Sequence, residues 1–251
     1  CYYSCKVAND EMGQFYVQDL KANGADTNLD ASKLPEGITG KCLVMTSSDA
    51  ERTMNTFLGI TTDYAISEIQ EDALINSDFL YIEGYLVTGE SGRNAMKQAK
   101  QIAEANQIKT ALTFSDPSMV KYFKSEMQDV VGTGVDLLFC NEEEAMLFTD
   151  TKTIEDAKEA LKKYAKTYVC TLGPQGACLF DGSQYIDIAP VPTKAIDTNG
   201  AGDLFAGAFL YGITNNLSFS EAGALASHAS SLVVSKFGPR LKKSQALELL
   251  A

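Results

Sequence analysis

From residue 79 onward, short apolar runs alternate with segments of helical spacing, and this rhythm restricts the fold more than any other property of the chain. Phe79-Leu80-Tyr81-Ile82, Thr110–Phe114, Val135-Asp136-Leu137-Leu138-Phe139-Cys140 and Tyr168-Val169-Cys170-Thr171-Leu172 each read as a strand. Nearly continuous apolar strands suit a parallel sheet covered by helices on both faces. The helices between them run from a cap at Ser91 to about Asn106, after Ser115-Asp116-Pro117, and over Glu142–Phe148 and Ile154–Lys166. Two β-prone segments, Ala177–Phe180 and Gln184–Ile188, flank the turn Asp181-Gly182, and helices then start from Ala201 and Ser220. The expected fold is α/β, three-layered, with a doubly wound and mostly parallel sheet. Ligands of such sheets sit beyond the carboxyl ends of the strands. The loops after Ser115, Cys140, Leu172 and Ile196 are therefore the places to seek function.

The front of the chain breaks the rhythm. Asp10 to Asn23 has helical spacing, stopped by Gly24. Lys41–Thr46 and Thr53–Leu58 are β-prone and separated by Ser47-Ser48-Asp49-Ala50, which predicts a small β segment at about 40–62. Residue 1 is Cys, and Cys-Tyr-Tyr-Ser-Cys-Lys-Val reads like the middle of a domain, so an N-terminal part of the natural protein is expected to be absent. With 251 residues, 45% of them hydrophobic, one α/β domain over 1–251 is expected, N-terminally incomplete.

Net charge is −12 with no basic block, which argues against a nucleic-acid partner. An acidic chain can still bind nucleotide, because a local nest of amides and a cation deal with the phosphates. Cysteines at 1, 5, 42, 140, 170 and 178 show no metal spacing, and the single His makes zinc a poor expectation. They read as small buried hydrophobes in a reducing compartment. No apolar stretch reaches membrane-span length, so no membrane association and a cytoplasmic location are expected.

The chemistry concentrates in Asp197-Thr198-Asn199-Gly200-Ala201-Gly202-Asp203, ahead of a helix. Gly200, Ala201 and Gly202 let backbone approach a ligand closely. The helix start adds unpaired N–H groups and the positive dipole end, a setting for phosphate. Asp203 places a carboxylate beside that anion site, where a proton acceptor explains it best; the plain alternative is a Gly-rich connector with a capping Asp. Asn141 and Glu144, three apart after a strand, could hold water around Mg²⁺, or simply cap a helix. Thr171-Leu172-Gly173-Pro174-Gln175-Gly176 offers two glycines for close backbone approach, though Gly-Pro turns are common. No Walker A string occurs.

The string Asp197–Asp203 resembles the signature of the ribokinase-like (pfkB-type) carbohydrate and nucleoside kinases. Asn141-x-x-Glu144 and Thr171-x-Gly173-x-x-Gly176 precede it in that family's order. The resemblance runs from about Gly24 to the end. It implies ATP and Mg²⁺ as cofactors, with Asp203 as catalytic base and Gly200, Ala201 and Gly202 as the anion hole. Asn141 and Glu144 would act on Mg²⁺ through water, and Thr171, Gly173 and Gly176 would lie along ATP. His228 would flank the adenine, against the plain reading of a packed or solvated helix His. Asp197 would support a monovalent cation such as K⁺, with Gly238 helping to close that site. Residues Cys42–Leu58, with Glu51-Arg52-Thr53, resemble the family's β lid over the sugar. The family's early substrate-binding Asp and its Gly-Gly-rich turn ending in Asn have no match in this chain. The expected activity is phosphoryl transfer from ATP to a primary hydroxyl of a sugar or nucleoside, adenosine-like or hexose, by a monomer or homodimer. A non-catalytic nucleotide- or sugar-binding regulator on the same fold is the rival. A dinucleotide-binding oxidoreductase lacks its Gly-x-Gly-x-x-Gly after an early strand.

Overall fold

The computed structural model describes residues 1–47, 50 and 52–250. Ser48 and Asp49 of the expected turn, and Glu51 of the lid-like segment, lie outside the described residues. The strands are β1 (Tyr2–Tyr3), β2 (Asp26–Thr27), β3 (Lys41–Thr46), β4 (Arg52–Phe57), β5 (Phe79–Glu83), β6 (Lys109–Thr113), β7 (Val135–Asn141), β8 (Ala165–Thr171), β9 (Ala177–Phe180) and β10 (Tyr185–Ile188). The helices are α1 (Glu11–Ala22), α2 (Glu71–Ile75), α3 (Glu90–Ala105), α4 (Pro117–Val131), α5 (Glu142–Thr149), α6 (Ile154–Leu161), α7 (Ala201–Thr214), α8 (Phe219–Val234) and α9 (Lys243–Glu248).

The main sheet has the order β10-β9-β8-β7-β6-β5, and β3 pairs with β4. β6, β7 and β8 are parallel neighbours, as their apolar runs predict. β9 turns back antiparallel to β8, and β10 antiparallel to β9. The sheet is therefore mixed at one edge.

Register assigns each face a helix layer. Tyr168 pairs with Leu138 in β7 and with Phe180 in β9, so all three point the same way. On that face the Tyr168 hydroxyl donates to the Lys158 carbonyl of α6, and Phe114 lies against Phe148 of α5. Val169, Phe139 and Leu179 point to the other face. There Phe139 meets Phe209 of α7 edge-on, and Gly223 of α8 sits so close that a Cβ would come within 2.9 Å of Leu179. This is the three-layer, doubly wound arrangement.

Cys140, Cys170 and Cys178 occupy one row across β7, β8 and β9, all buried and all free thiols. A hydrogen bond with Cys170 that favours the protonated thiol, together with burial, pushes Cys140 well above its ordinary range. They are packing residues on the α5/α6 face, as expected of buried cysteine.

Some boundaries differ from expectation. α3 starts at Glu90 after Gly89, so Ser91 is not its cap; the Ser91 hydroxyl instead donates to the Tyr64 carbonyl at 2.7 Å. α6 stops at Leu161 rather than Lys166, because Ala165 already belongs to β8, where Val135 pairs with it. α8 begins one residue before Ser220 and is capped by Ser218, which forms a capping box with Glu221.

The chain divides into two compact units: Cys1–Val44 with Met54–Thr110, and Met45–Thr53 with Ala111–Ala251. In the first, Val7, Val17 and Leu29 form a small core beneath α1. Asp10 caps α1 and also accepts the Thr39 amide and hydroxyl, which together hold its carboxyl down to about 2. A depressed carboxylate contributes stability above its ordinary 3.8, and this is lost as pH falls toward 2. The second unit contains every residue singled out by the motifs.

Candidate active site

Two strand ends open the site. Asn141 and Thr171 are register partners at the carboxyl ends of β7 and β8, on the face covered by α7 and α8. Asn141 caps α5: its Oδ1 accepts the Glu144 amide at 2.8 Å, and Glu144 Oε2 accepts the Asn141 amide at 2.9 Å. The capping reading is thus realised. Glu144 is nevertheless only 4% exposed, and the capping box uses one of its two carboxylate oxygens. A carboxylate and an amide fixed at a sheet end remain a donor set suited to a hydrated Mg²⁺. Among the described residues no group of three or more His, Cys, Asp or Glu could hold a metal by itself, so such a cation would depend on water and phosphate oxygens.

The loop after β8 folds tightly, with the Leu172 amide donating to the Gly176 carbonyl at 2.8 Å. Its two glycines differ in purpose. Gly176 has φ +93° and a Cβ there would overlap the Ile188 carbonyl, so packing alone demands glycine. Gly173 has φ +55° and faces open space.

The same contrast recurs at the anion-hole string. Gly200 is buried, has φ +77°, and is the N-cap of α7 with no side-chain capping bond. A Cβ on it would overlap the Pro239 carbonyl and lie 2.7 Å from Pro239 Cβ. Gly202, two residues on, has nothing within 4 Å of a would-be Cβ. Asp203 follows in the first turn, exposed, where the helix dipole favours a negative charge.

Asp197 organises this loop. It is 4% exposed; Oδ1 accepts the Asn199 amide at 3.0 Å and Oδ2 the Gly238 amide at 3.0 Å. The Ile196 amide donates to the Val234 carbonyl at 2.7 Å, and the Ser230 hydroxyl to the Ala201 carbonyl at 2.9 Å. The end of α8 and the segment 236–239 therefore brace the start of α7. His228 lies on the exposed side of α8.

Sequence reasoning missed four contributors. Pro239 and Ser230 lie 39 and 29 positions beyond the residues they brace, Gly200 and Ala201. Thr46 and Ala50 reach Asp197 and Thr198 across separations of 151 and 148. Contacts between residues this far apart in sequence leave no mark in local sequence, so no pattern could have found them.

A family model described as pfkB family carbohydrate kinase matches residues 1–246. An uncharacterized sugar kinase of Archaeoglobus fulgidus is 26% identical over 241 residues, 95% of this chain and 92% of that protein. A ribokinase of Staphylococcus aureus is 28% identical over 242 residues, 93% of this chain and 75% of that one. The crystal structure of adenosine kinase from Sinorhizobium meliloti superposes with a TM-score of 0.93 at 31% identity, covering 98% of this chain and 76% of that chain. Among the described residues no helix is long and apolar enough to cross a membrane.

Proposed function

The chain belongs to the pfkB family of carbohydrate kinases, and we propose that it transfers the γ-phosphate of ATP to a primary hydroxyl of a sugar or nucleoside. The carrying observation is the pair Gly200 and Gly202. The first is glycine because Pro239 leaves no room, while the second has no packing reason to be glycine. A helix start with no side-chain cap, open at Gly202 and followed by a carboxylate, suits a transferring phosphoryl group and a base for the acceptor proton. Such transfer relies on positioning and charge neutralisation rather than covalent chemistry by the protein.

In this reading Gly200, Ala201 and Gly202 form the anion hole and Asp203 accepts the hydroxyl proton. Thr171 and Gly173 line the nucleotide, Gly176 holds their turn, and His228 flanks the adenine. Mg²⁺, when bound with ATP, neutralises phosphate charge, and Asn141 and Glu144 orient its waters. Asp197 shapes the loops beside which a monovalent cation such as K⁺ sits. The acceptor is an adenosine-like nucleoside or a hexose, in keeping with relatives named adenosine kinase, ribokinase and sugar kinase.

ADP formation over a panel of nucleosides and sugars tests the reading; no acceptor-dependent turnover with any of them would count against it. Asp203 also speaks against a pure binder, which has no use for a base. Gly202→Ala supplies a sharper check. Alanine favours a helix by about 1 kcal/mol over glycine and here meets no neighbour, so the melting temperature should hold or rise. Turnover should nonetheless drop at least about tenfold as the methyl intrudes on the phosphoryl group. Unchanged turnover in the folded variant would remove the anion-hole assignment.

Glu144→Gln separates capping from metal work. Gln completes a capping box as Glu does, so stability should barely change. The Mg²⁺ concentration for half-maximal velocity should rise about tenfold, the usual consequence of disturbing an outer-sphere partner. A variant that loses stability but keeps its Mg²⁺ dependence would leave Glu144 a capping residue only.

A further inference from the structure

The start of α7 is braced by α8 and the segment 236–239, and also by Thr46 and Ala50. The Thr198 hydroxyl donates to the Ala50 carbonyl at 3.0 Å, and the Thr46 hydroxyl reaches Asp197 Oδ1 at 3.4 Å. Ala50 is 5% exposed and has φ +67°, a conformation alanine adopts only where its surroundings impose it. The strain aims one carbonyl at one hydroxyl. Thr198 carries the constraint onward, because its own carbonyl accepts the Ala201 amide at 3.3 Å, the first amide of the anion-hole helix. Residues Met45–Thr53 also group with Ala111–Ala251 rather than with the remainder of their hairpin.

We propose that Ala50 is a positioning residue of the anion hole, with Thr198 as the residue through which it acts. The proposal rests on the phosphotransferase reading above. Seating of the Ala50 carbonyl fixes Thr198, and Thr198 fixes the amides of 201–203 where phosphoryl charge develops. Preorganised donors of this kind act on the transition state more than on ground-state binding. The effect should therefore fall on kcat and spare the KM for ATP.

Thr198→Val removes the donor and keeps the branched shape; Thr198→Ser keeps the donor. In the full chain, Thr198→Val should lower kcat about tenfold, the scale of one lost hydrogen bond, with the KM for ATP within about twofold. Amides 199–203 should exchange with deuterium faster in that variant at nearly unchanged melting temperature. Thr198→Ser should restore both kcat and protection. The proposal is overturned if Thr198→Val leaves kcat and exchange unchanged, or if the Ser variant behaves like Val. Should the parent turn over no acceptor, the kinase reading itself fails, and the exchange comparison still decides whether Ala50 positions these amides.

Discussion

Asp203→Asn should lower kcat by about 10²–10⁴, the usual worth of a general base, while ATP still binds. The substitution is nearly isosteric, and the side chain stands exposed in the first turn of α7, so little packing is disturbed. Folding loses the favourable meeting of a carboxylate with the helix dipole, about 0.3–1 kcal/mol. ATP affinity should stay level or tighten, because a negative charge next to the phosphates is gone. Steady-state kinetics with titration of ATP by calorimetry separate the two effects. Near-normal turnover would sink the base assignment, and a parallel loss of ATP binding would turn Asp203 into a binding residue.

Gly200→Ala should be far more disruptive to the fold than Gly202→Ala. Alanine in the left-handed region costs about 1–2 kcal/mol. The added methyl must also displace Pro239 backbone, and overpacking of that kind adds about 1–3 kcal/mol. Pro239 has little freedom to retreat, since Gly238 beside it is tied to Asp197. Together these predict a loss of about 2–5 kcal/mol, a fall of roughly 4–20 °C in melting temperature for a chain of this size, with activity lost alongside. A melt within a degree of the parent would show that the 236–239 segment yields easily. The pair of variants thus tells a packing glycine from a ligand-facing one two residues away.

Much of this was legible in the chain. The run from Val135 to Cys140 has no polar face to spare, so it reads directly as a covered parallel strand, and Asn141 follows where a strand must hand over to a helix. The Asp197–Asp203 string is legible for the same reason: small residues, a helix start and a carboxylate constrain one another within a single turn. Strand direction was less accessible. Ala177–Phe180 and Tyr185–Ile188 announce a hairpin by their turn, but only pairing with β8 shows that the sheet reverses there. The helix expected to reach Lys166 fails because strand register with Val135 claims Ala165, a tertiary demand that outweighs local propensity. Sequence also cannot say which glycine is glycine for lack of room. Gly200 and Gly202 look alike until Pro239 is placed, 39 residues beyond the first of them.

All residues assigned to the phosphoryl donor side, from Asn141 to Gly238, belong to one of the two compact units. Substitutions in the other unit can accumulate without touching a single one of them. Such a division lets descendants of one ancestor vary elsewhere while inheriting the proposed donor residues together. A family whose members bear the names ribokinase and adenosine kinase is what that kind of inheritance would leave behind.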